Sequence, residues 1–311
     1  MKQNRSMTLQ GIIAVIPTPF TISEERVDTE TIRRLVESSI LDGADALGLF
    51  GAGGEFYKLS GSERRLILDT VVEVSKGKIP IVASVTEHAT CLAVSEAKDF
   101  ERNGANIINI FPPHFASPTL DSIISHILSI ANAVNLPIMI QHAPRLTGFD
   151  IPVDVYKSIS EDADRPLYIK VESEPTGPAI TKIIESTNGK YKIVVGNAGI
   201  QMYEALIRKA CAIMPGAATI RAYSMIYKAF TAGHEIEAFH LYQEMLPYIN
   251  ILGTDLERFI LMEKIVLERR GILVNHIVRN PGASLDEVTM NLLIEQYERI
   301  KNVFHLDNPE Y

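Results

Sequence analysis

Cysteine is scarce in this chain. Its 311 residues include only two, Cys91 and Cys211, far apart and without a C-x-x-C pair. That excludes a disulfide framework and a thiolate zinc site. It fits a reducing, cytoplasmic compartment. Positive charge is also short: 30 Lys and Arg stand against 38 Asp and Glu, a net charge of -8. A nucleic-acid-binding surface is not expected, and an anionic ligand must be met by a locally positive site. No apolar run approaches the ~20 residues that span a bilayer, so no membrane partner is expected. The first ten residues, MKQNRSMTLQ, lack the apolar centre of a signal peptide. No G-x-G-x-x-G follows the first apolar run, and no histidine, cysteine or carboxylate cluster has metal-ligand spacing. No cofactor or metal is expected.

What is present is a regular alternation. Hydrophobic residues make up 46% and charged residues 22%, ordinary for a chain with a sizeable core. Short apolar runs are GIIAVIPTPF (11–20), ALGLFG (46–51), PIVASV (80–85), NIINIF (106–111), PIMIQHA (137–143), PLYIKVE (166–172), KIVVGN (192–197) and GAATIRA (216–222). Amphipathic stretches separate them over 29–41, from 60–65 onward, near 92–102, and over 120–134, 152–160, 178–186 and 202–211. Runs apolar on both faces suit parallel strands. Eight strand–helix units in strict order predict an α/β fold, a closed (β/α)8 TIM barrel, with an open doubly wound sheet as the alternative. Helices are then expected over 223–232, 235–250, 254–270 and 285–304. Residues 1–222 carry the strands and the first seven barrel helices. Residues 223–311 carry the last barrel helix and a helical extension of the same domain, since no linker divides them.

In such barrels the reacting groups sit at the C-terminal strand ends. Lys170 lies within Leu-Tyr-Ile-Lys-Val. Burying an ammonium is costly, so burial favours the neutral, nucleophilic amine that can form an imine. The alternative is a lysine paired with a carboxylate. Glu172 shares its side of the strand and is either a general base or that partner. Gly51, Gly53 and Gly54 allow close backbone approach, and their exposed N–H groups suit a carboxylate; tight turns also need glycine. His114 is a proton shuttle or a structural histidine. Arg221, read at the end of strand eight, binds a carboxylate or forms a surface ion pair.

Taken together, the motifs resemble the dihydrodipicolinate synthase / N-acetylneuraminate lyase family. The resemblance rests on GIIAVIPTPF (11–20), GAGGEFYKLS (51–60), FPPHFASP (111–118), PIMIQHAPRLTG (137–148), YIKVES (168–173), FTAGHEIEAF (230–239) and RNPGASL (279–285). It implies a homotetramer of barrels whose strand-six lysine, here Lys170, forms a Schiff base with a 2-oxo acid. Synthases and lyases of that family typically carry a strand-five tyrosine; here the position is Gln141. A glutamine amide cannot serve as acid or base, so the synthase's hydroxyl relay is missing. Gln141-His142-Ala143-Pro144 and Lys170-Val171-Glu172 are instead similar to the ketodeoxyarabonate dehydratase branch.

The implied reaction is dehydration of a 2-oxo-3-deoxy sugar acid. Its carboxylate would meet Ala52, Gly53 and Gly54, Glu172 would act at C3, and Gln141 would orient a hydroxyl. Asn197, His114 or Arg221 would hold the distal end. Retro-aldol cleavage to pyruvate, a synthase-like condensation and non-catalytic 2-oxo acid binding are the alternatives.

Overall fold

Alternation along each strand decides which side chains meet inside the molecule and which meet the helices. A computed structural model describes residues 9–23, 25–115, 118–161, 165–253 and 255–307. Most of the polar N-terminal stretch, part of the FPPHFASP motif and the first residue of the helix expected over 254–270 lie outside these residues. The strands are β1 (Gly11–Val15), β2 (Ala46–Leu49), β3 (Ile81–Val85), β4 (Ile107–Ile110), β5 (Ile138–His142), β6 (Leu167–Val171), β7 (Tyr191–Val195) and β8 (Ala212–Ile213). They are parallel and close in sequence order, β8 pairing back onto β1. The open-sheet alternative is thereby excluded.

Barrel helices follow each strand: α1 (Thr29–Leu41), α2 (Gly61–Ser75), α3 (Thr90–Arg102), α4 (Leu120–Ala133), α5 (Val153–Glu161), α6 (Thr176–Ser186), α7 (Met202–Ile207) and α8 (Ile220–Thr231). Three more complete the chain: α9 (Glu235–Leu252), α10 (Leu256–Arg269) and α11 (Glu287–Phe304). Polar side chains at the helix starts satisfy orphan backbone donors. Asp28 caps α1, and Ser60 with Glu63 forms a capping box on α2.

Two apolar clusters result. One lies between the strands and the helices and includes Ile81, Ile108, Ile140 and Ile169. The other fills the barrel and includes Ile13, Val82, Ile107, Met139, Tyr168 and Val194. The period of two carries the inward face upward from Val82 to Ser84, from Ile107 to Asn109, from Met139 to Gln141 and from Tyr168 to Lys170. The barrel interior is therefore apolar below and polar above.

Strand eight differs from the sequence reading. The run 216–222 is not a strand: only Gly216 bridges β1, at Val15, and Ile220 already begins α8. The strand is the short Ala212–Ile213, followed within two residues by Pro215, too brief to stand out in the sequence. Arg221 consequently sits in the first turn of α8. Its guanidinium is buried 3.1 Å from Asp42 and donates to the carbonyl of His305 at 3.1 Å. Asp42 caps the end of α1 and precedes the N-terminal end of β2, opposite the strand C-termini. Arg270 meets the same carboxylate at 2.8 Å. Arg221 thus ties outer helices together and is not at the barrel mouth.

Helix α10 is buried along most of its length, from Ile260 to Leu267. It carries two consecutive buried ionisable side chains. Lys264 pairs with Glu55 of the strand-two loop. Glu263 accepts the N–H of Ala218 at 2.9 Å and lies so close to Gly216 that a Cβ there would be 2.1 Å from Oε2. Burial pushes the Glu263 carboxyl up to about 7. The folded state then binds its proton more tightly than the unfolded chain does, so this contribution is full below about pH 4.5 and is lost as pH rises through 7. Wild type should lose on the order of 2–3 kcal/mol relative to Glu263→Gln between pH 5 and pH 8. Urea melts at the two pH values measure this, and parallel pH profiles would contradict it.

Candidate active site

At the top of β6, Lys170 is buried in the polar upper layer. In register it stands beside Gln141 on β5 and Val194 on β7. Its Nζ is 3.1 Å from Oε1 of Glu172. Glu172 lies one residue past the strand, and its N–H donates to the carbonyl of His142 at 2.8 Å, which extends the β5–β6 ladder. The other carboxylate oxygen, Oε2, accepts Nε2 of Gln141 at 2.8 Å. The backbone N–H of Asn197 donates to Oε1 at 3.1 Å. The structure thus brings Lys170, Glu172, Gln141 and Asn197 into one buried cluster. An ion pair removed from water needs such directed partners to offset its desolvation.

The turn after β7 makes this geometry possible. Gly196 has no side chain, and a Cβ there would lie 2.0 Å from Oε1 of Glu172. Asn197 and Ala198 follow with φ of 49° and 50°, a left-handed conformation that L residues adopt at a cost. The turn directs the Asn197 N–H at the carboxylate, while its side-chain Nδ2 donates to the Glu172 carbonyl at 3.2 Å. Asn197 is therefore tied to Glu172 through both its backbone and its side chain.

The Gly-rich loop forms a short 3-10 turn over Ala52–Gly54. The N–H groups of Gly54 and Glu55 are spent on the carbonyls of Gly51 and Ala52. Among the described residues, those of Ala52 and Gly53 have no backbone acceptor. Both residues are partly exposed. Gly54 contributes close packing, since a Cβ there would lie 3.1 Å from the Ile16 carbonyl. Glu55 is fully buried in a left-handed conformation with φ 59°. It is held by Lys264, by Lys58 at 3.2 Å and by the N–H of Arg279 at 3.3 Å. Burial pulls the Lys264 ammonium down to about 8 although Glu55 stands beside it.

His114 lies in the loop after β4, with its ring centroid 4.7 Å from that of His88 and 5.0 Å from that of Phe111. Its Nδ1 faces the Pro112 carbonyl at 3.3 Å. Burial lowers the His88 pKa, and the neighbouring His114 lowers it further. No hydrogen bond links His114 to the Lys170 cluster among the described residues. The His142 side chain alternates outward from that of Gln141, with its ring centroid 5.6 Å from that of Tyr156.

Two contributors were missed in the sequence. Ser84 and Asn109 look like ordinary small polar residues in apolar runs. In the barrel they extend the polar layer: Asn109 Nδ2 donates to Ser84 Oγ at 3.0 Å and to Gln141 Oε1 at 3.1 Å. The period of two was the only signal, and it needed the strand starts to be exact. Among the described residues no group of three histidine, cysteine or carboxylate side chains is arranged to hold a metal ion. No helix there is long and apolar enough to cross a membrane. A surface depression formed by Gly233, His234, Ile236 and Leu241 holds none of the cluster residues.

Comparison with known proteins places the chain at the level of fold and family. A solved 4-hydroxy-tetrahydrodipicolinate synthase from Methylacidiphilum fumariolicum SolV superposes with a TM-score of 0.89 at 24% identity, covering 96% of this chain and 99% of that one. Dihydrodipicolinate synthase from Aquifex aeolicus gives 0.86 at 22%, covering 96% and 100%. At such identities these show the fold alone. By sequence, the chain is 26% identical over 251 residues to 4-hydroxy-tetrahydrodipicolinate synthase of Parabacteroides distasonis, covering 80% of this chain and 84% of the relative. It is 24% identical over 273 residues to 4-hydroxy-tetrahydrodipicolinate synthase 1 of Halalkalibacterium halodurans, covering 87% and 90%. The profile of the Dihydrodipicolinate synthetase family matches residues 8–297, nearly the whole chain, and the chain therefore belongs to that family.

Proposed function

We propose that this protein is a Schiff-base lyase that removes water from a 2-oxo-3-deoxy sugar acid. One observation carries the reading: a buried carboxylate, Glu172, stands 3.1 Å from the Lys170 amine and is held there by an amide and a backbone N–H. The substrate carboxylate lies against the N–H groups of Ala52 and Gly53, with Gly54 closing the loop behind them. Lys170 passes a proton to Glu172 and attacks C2; the carbinolamine hydroxyl leaves as water with that proton, giving an iminium and returning Glu172 to its carboxylate. The positive nitrogen acidifies the C3 proton. C3 is two bonds from that nitrogen, so a carboxylate touching the nitrogen reaches C3 as well. Glu172 takes the C3 proton, and the resulting enamine expels the C4 hydroxyl. The proton held by Glu172 leaves with that hydroxyl as water. A second water hydrolyses the unsaturated iminium, releasing the product and restoring Lys170.

The relatives' names favour a second reading, a condensation with an aldehyde. Gln141 argues against it, since an amide passes no proton at neutral pH. Product mass separates the two readings: loss of water for dehydration, a carbon-skeleton gain for condensation, and pyruvate release for the reverse aldol cleavage. The homotetramer implied by the resemblance belongs to the same proposal, and light scattering measures it.

Borohydride reduction with intact mass spectrometry tests the nucleophile. Pyruvate and a panel of 2-oxo-3-deoxy sugar acids should leave a reduced adduct on wild type that maps to Lys170 and is absent from Lys170→Ala. A folded wild type that forms no adduct with any of them would exclude the lysine mechanism and leave a binding protein. Glu172→Gln should still trap an adduct but lose turnover by about 100-fold or more. Gly196→Ala should do much the same, because its Cβ displaces the Glu172 carboxylate; turnover near the wild-type rate in either variant would remove Glu172 from its assigned role.

A further inference from the structure

We infer that Asn109, on the inward face of β4, is a positioning residue for the Lys170 site that acts through Gln141 to orient Glu172. The inference rests on the Schiff-base reading above and concerns the regulation of geometry within that same site.

Hydrogen-bond direction is the basis. An ionised carboxylate only accepts, so Gln141 must present its NH2 to Oε2 of Glu172. The Gln141 oxygen is then turned toward β4 and needs a donor. Asn109 supplies it: its NH2 gives one proton to Gln141 Oε1 at 3.1 Å and the other to Ser84 Oγ at 3.0 Å. The amide oxygen of Asn109, buried, meets no protein donor among the described residues. All of its hydrogen bonding therefore points along the ladder that ends on Glu172.

Reversing either amide is penalised. A flipped Gln141 would set its oxygen against the Glu172 carboxylate and its NH2 against that of Asn109. A flipped Asn109 would set its oxygen against that of Gln141 and keep only a bond from the Ser84 hydroxyl. With Asn109 and Gln141 both essentially sealed from solvent, at 0% and 1% exposure, water cannot replace the lost partners cheaply. The two amides thus lock one another, and the polarity is set by Glu172, whose carboxylate only accepts. Without Asn109, Gln141 is free to rotate and its grip on Oε2 weakens. Lys170 and the Asn197 N–H then pull the carboxylate by Oε1 alone.

Pyruvate serves as the probe, because its C3 protons exchange with deuterium once the imine forms and a base acts on it. Three quantities would be followed in wild type, Asn109→Ala, Gln141→Ala and the double variant: the borohydride-trapped adduct, the rate of deuterium entry at C3 by proton NMR, and the dependence of that rate on pD. Thermal melts establish that each variant is folded. Asn109→Ala should trap as wild type does, exchange about tenfold more slowly, the equivalent of one hydrogen bond, and move the acidic limb of the profile to higher pD. In the Gln141→Ala background the same change should add nothing, because the path through the amide is already cut. Asn109→Ala with an unchanged exchange rate and profile would overturn the inference. So would an effect that persists in full without Gln141, which marks a packing role. Failure of wild type to trap pyruvate or to exchange its protons would instead remove the Schiff-base reading, and this inference with it.

Discussion

The pairing of Lys170 with Glu172 inside a closed barrel is the constraint to which the surrounding structure answers. Taking an ammonium and a carboxylate out of water costs several kcal/mol per ion, and their mutual attraction offsets this only if the remaining lone pairs and protons are also met. The means of meeting them come from four consecutive strands. β4 provides Asn109, β5 provides Gln141, β6 provides the pair itself, and the turn after β7 provides the Asn197 N–H. Sequential parallel pairing is what sets these side by side. Gly196 is required because any side chain would occupy the carboxylate's place, and the left-handed Asn197 is required because its N–H must turn inward. Backbone strain at that turn is sustained by the charge it serves.

The lower half of the barrel and its outer layer were legible in the sequence because burial writes itself as continuous apolar runs. Lys170 was legible for the opposite reason: a charge inside such a run is conspicuous. Glu172 followed from the period of two. Asn109 and Ser84 were not legible, since a small polar residue in a strand is compatible with either face until the strand's first residue is known. Strand eight was misread because its apolar content, Ala212 to Met214, is shorter than the alanine-rich stretch that follows, and Arg221 was carried to the wrong end of the barrel with it. No local pattern separates a short strand plus turn from a longer strand when small residues fill both.

Long-range pairings were beyond sequence reasoning altogether. Glu55 and Lys264 are 209 positions apart, yet they form a buried pair that joins α10 to the Gly-rich loop. Phe259, one turn earlier on the same helix, would meet a Cβ on Gly53 at 3.1 Å. The C-terminal extension is thus the wall against which the loop is set. Glu55, which ends the Gly-rich turn, is anchored by two lysines and a backbone donor. An α10 displaced by a turn would lose that anchor even though no part of it bears a proposed reacting group.

Sharing this fold does not dictate the reaction, and the reason lies in how many groups can move a proton. A reaction that shifts protons between atoms several bonds apart calls for a relay of groups that can both give and accept them. Here the group nearest the amine on β5 is an amide, and the amide beyond it on β4 is no better a carrier. Within the ladder Glu172 is the one carboxylate, and it stands beside the Lys170 amine. A single base suits a reaction whose proton balance closes on itself, in which the proton taken from C3 departs with the neighbouring hydroxyl. Dehydration has that property. On the proposed reading the ladder of amides has a different use from a relay: it fixes where the base stands, and leaves the proton traffic to the base alone.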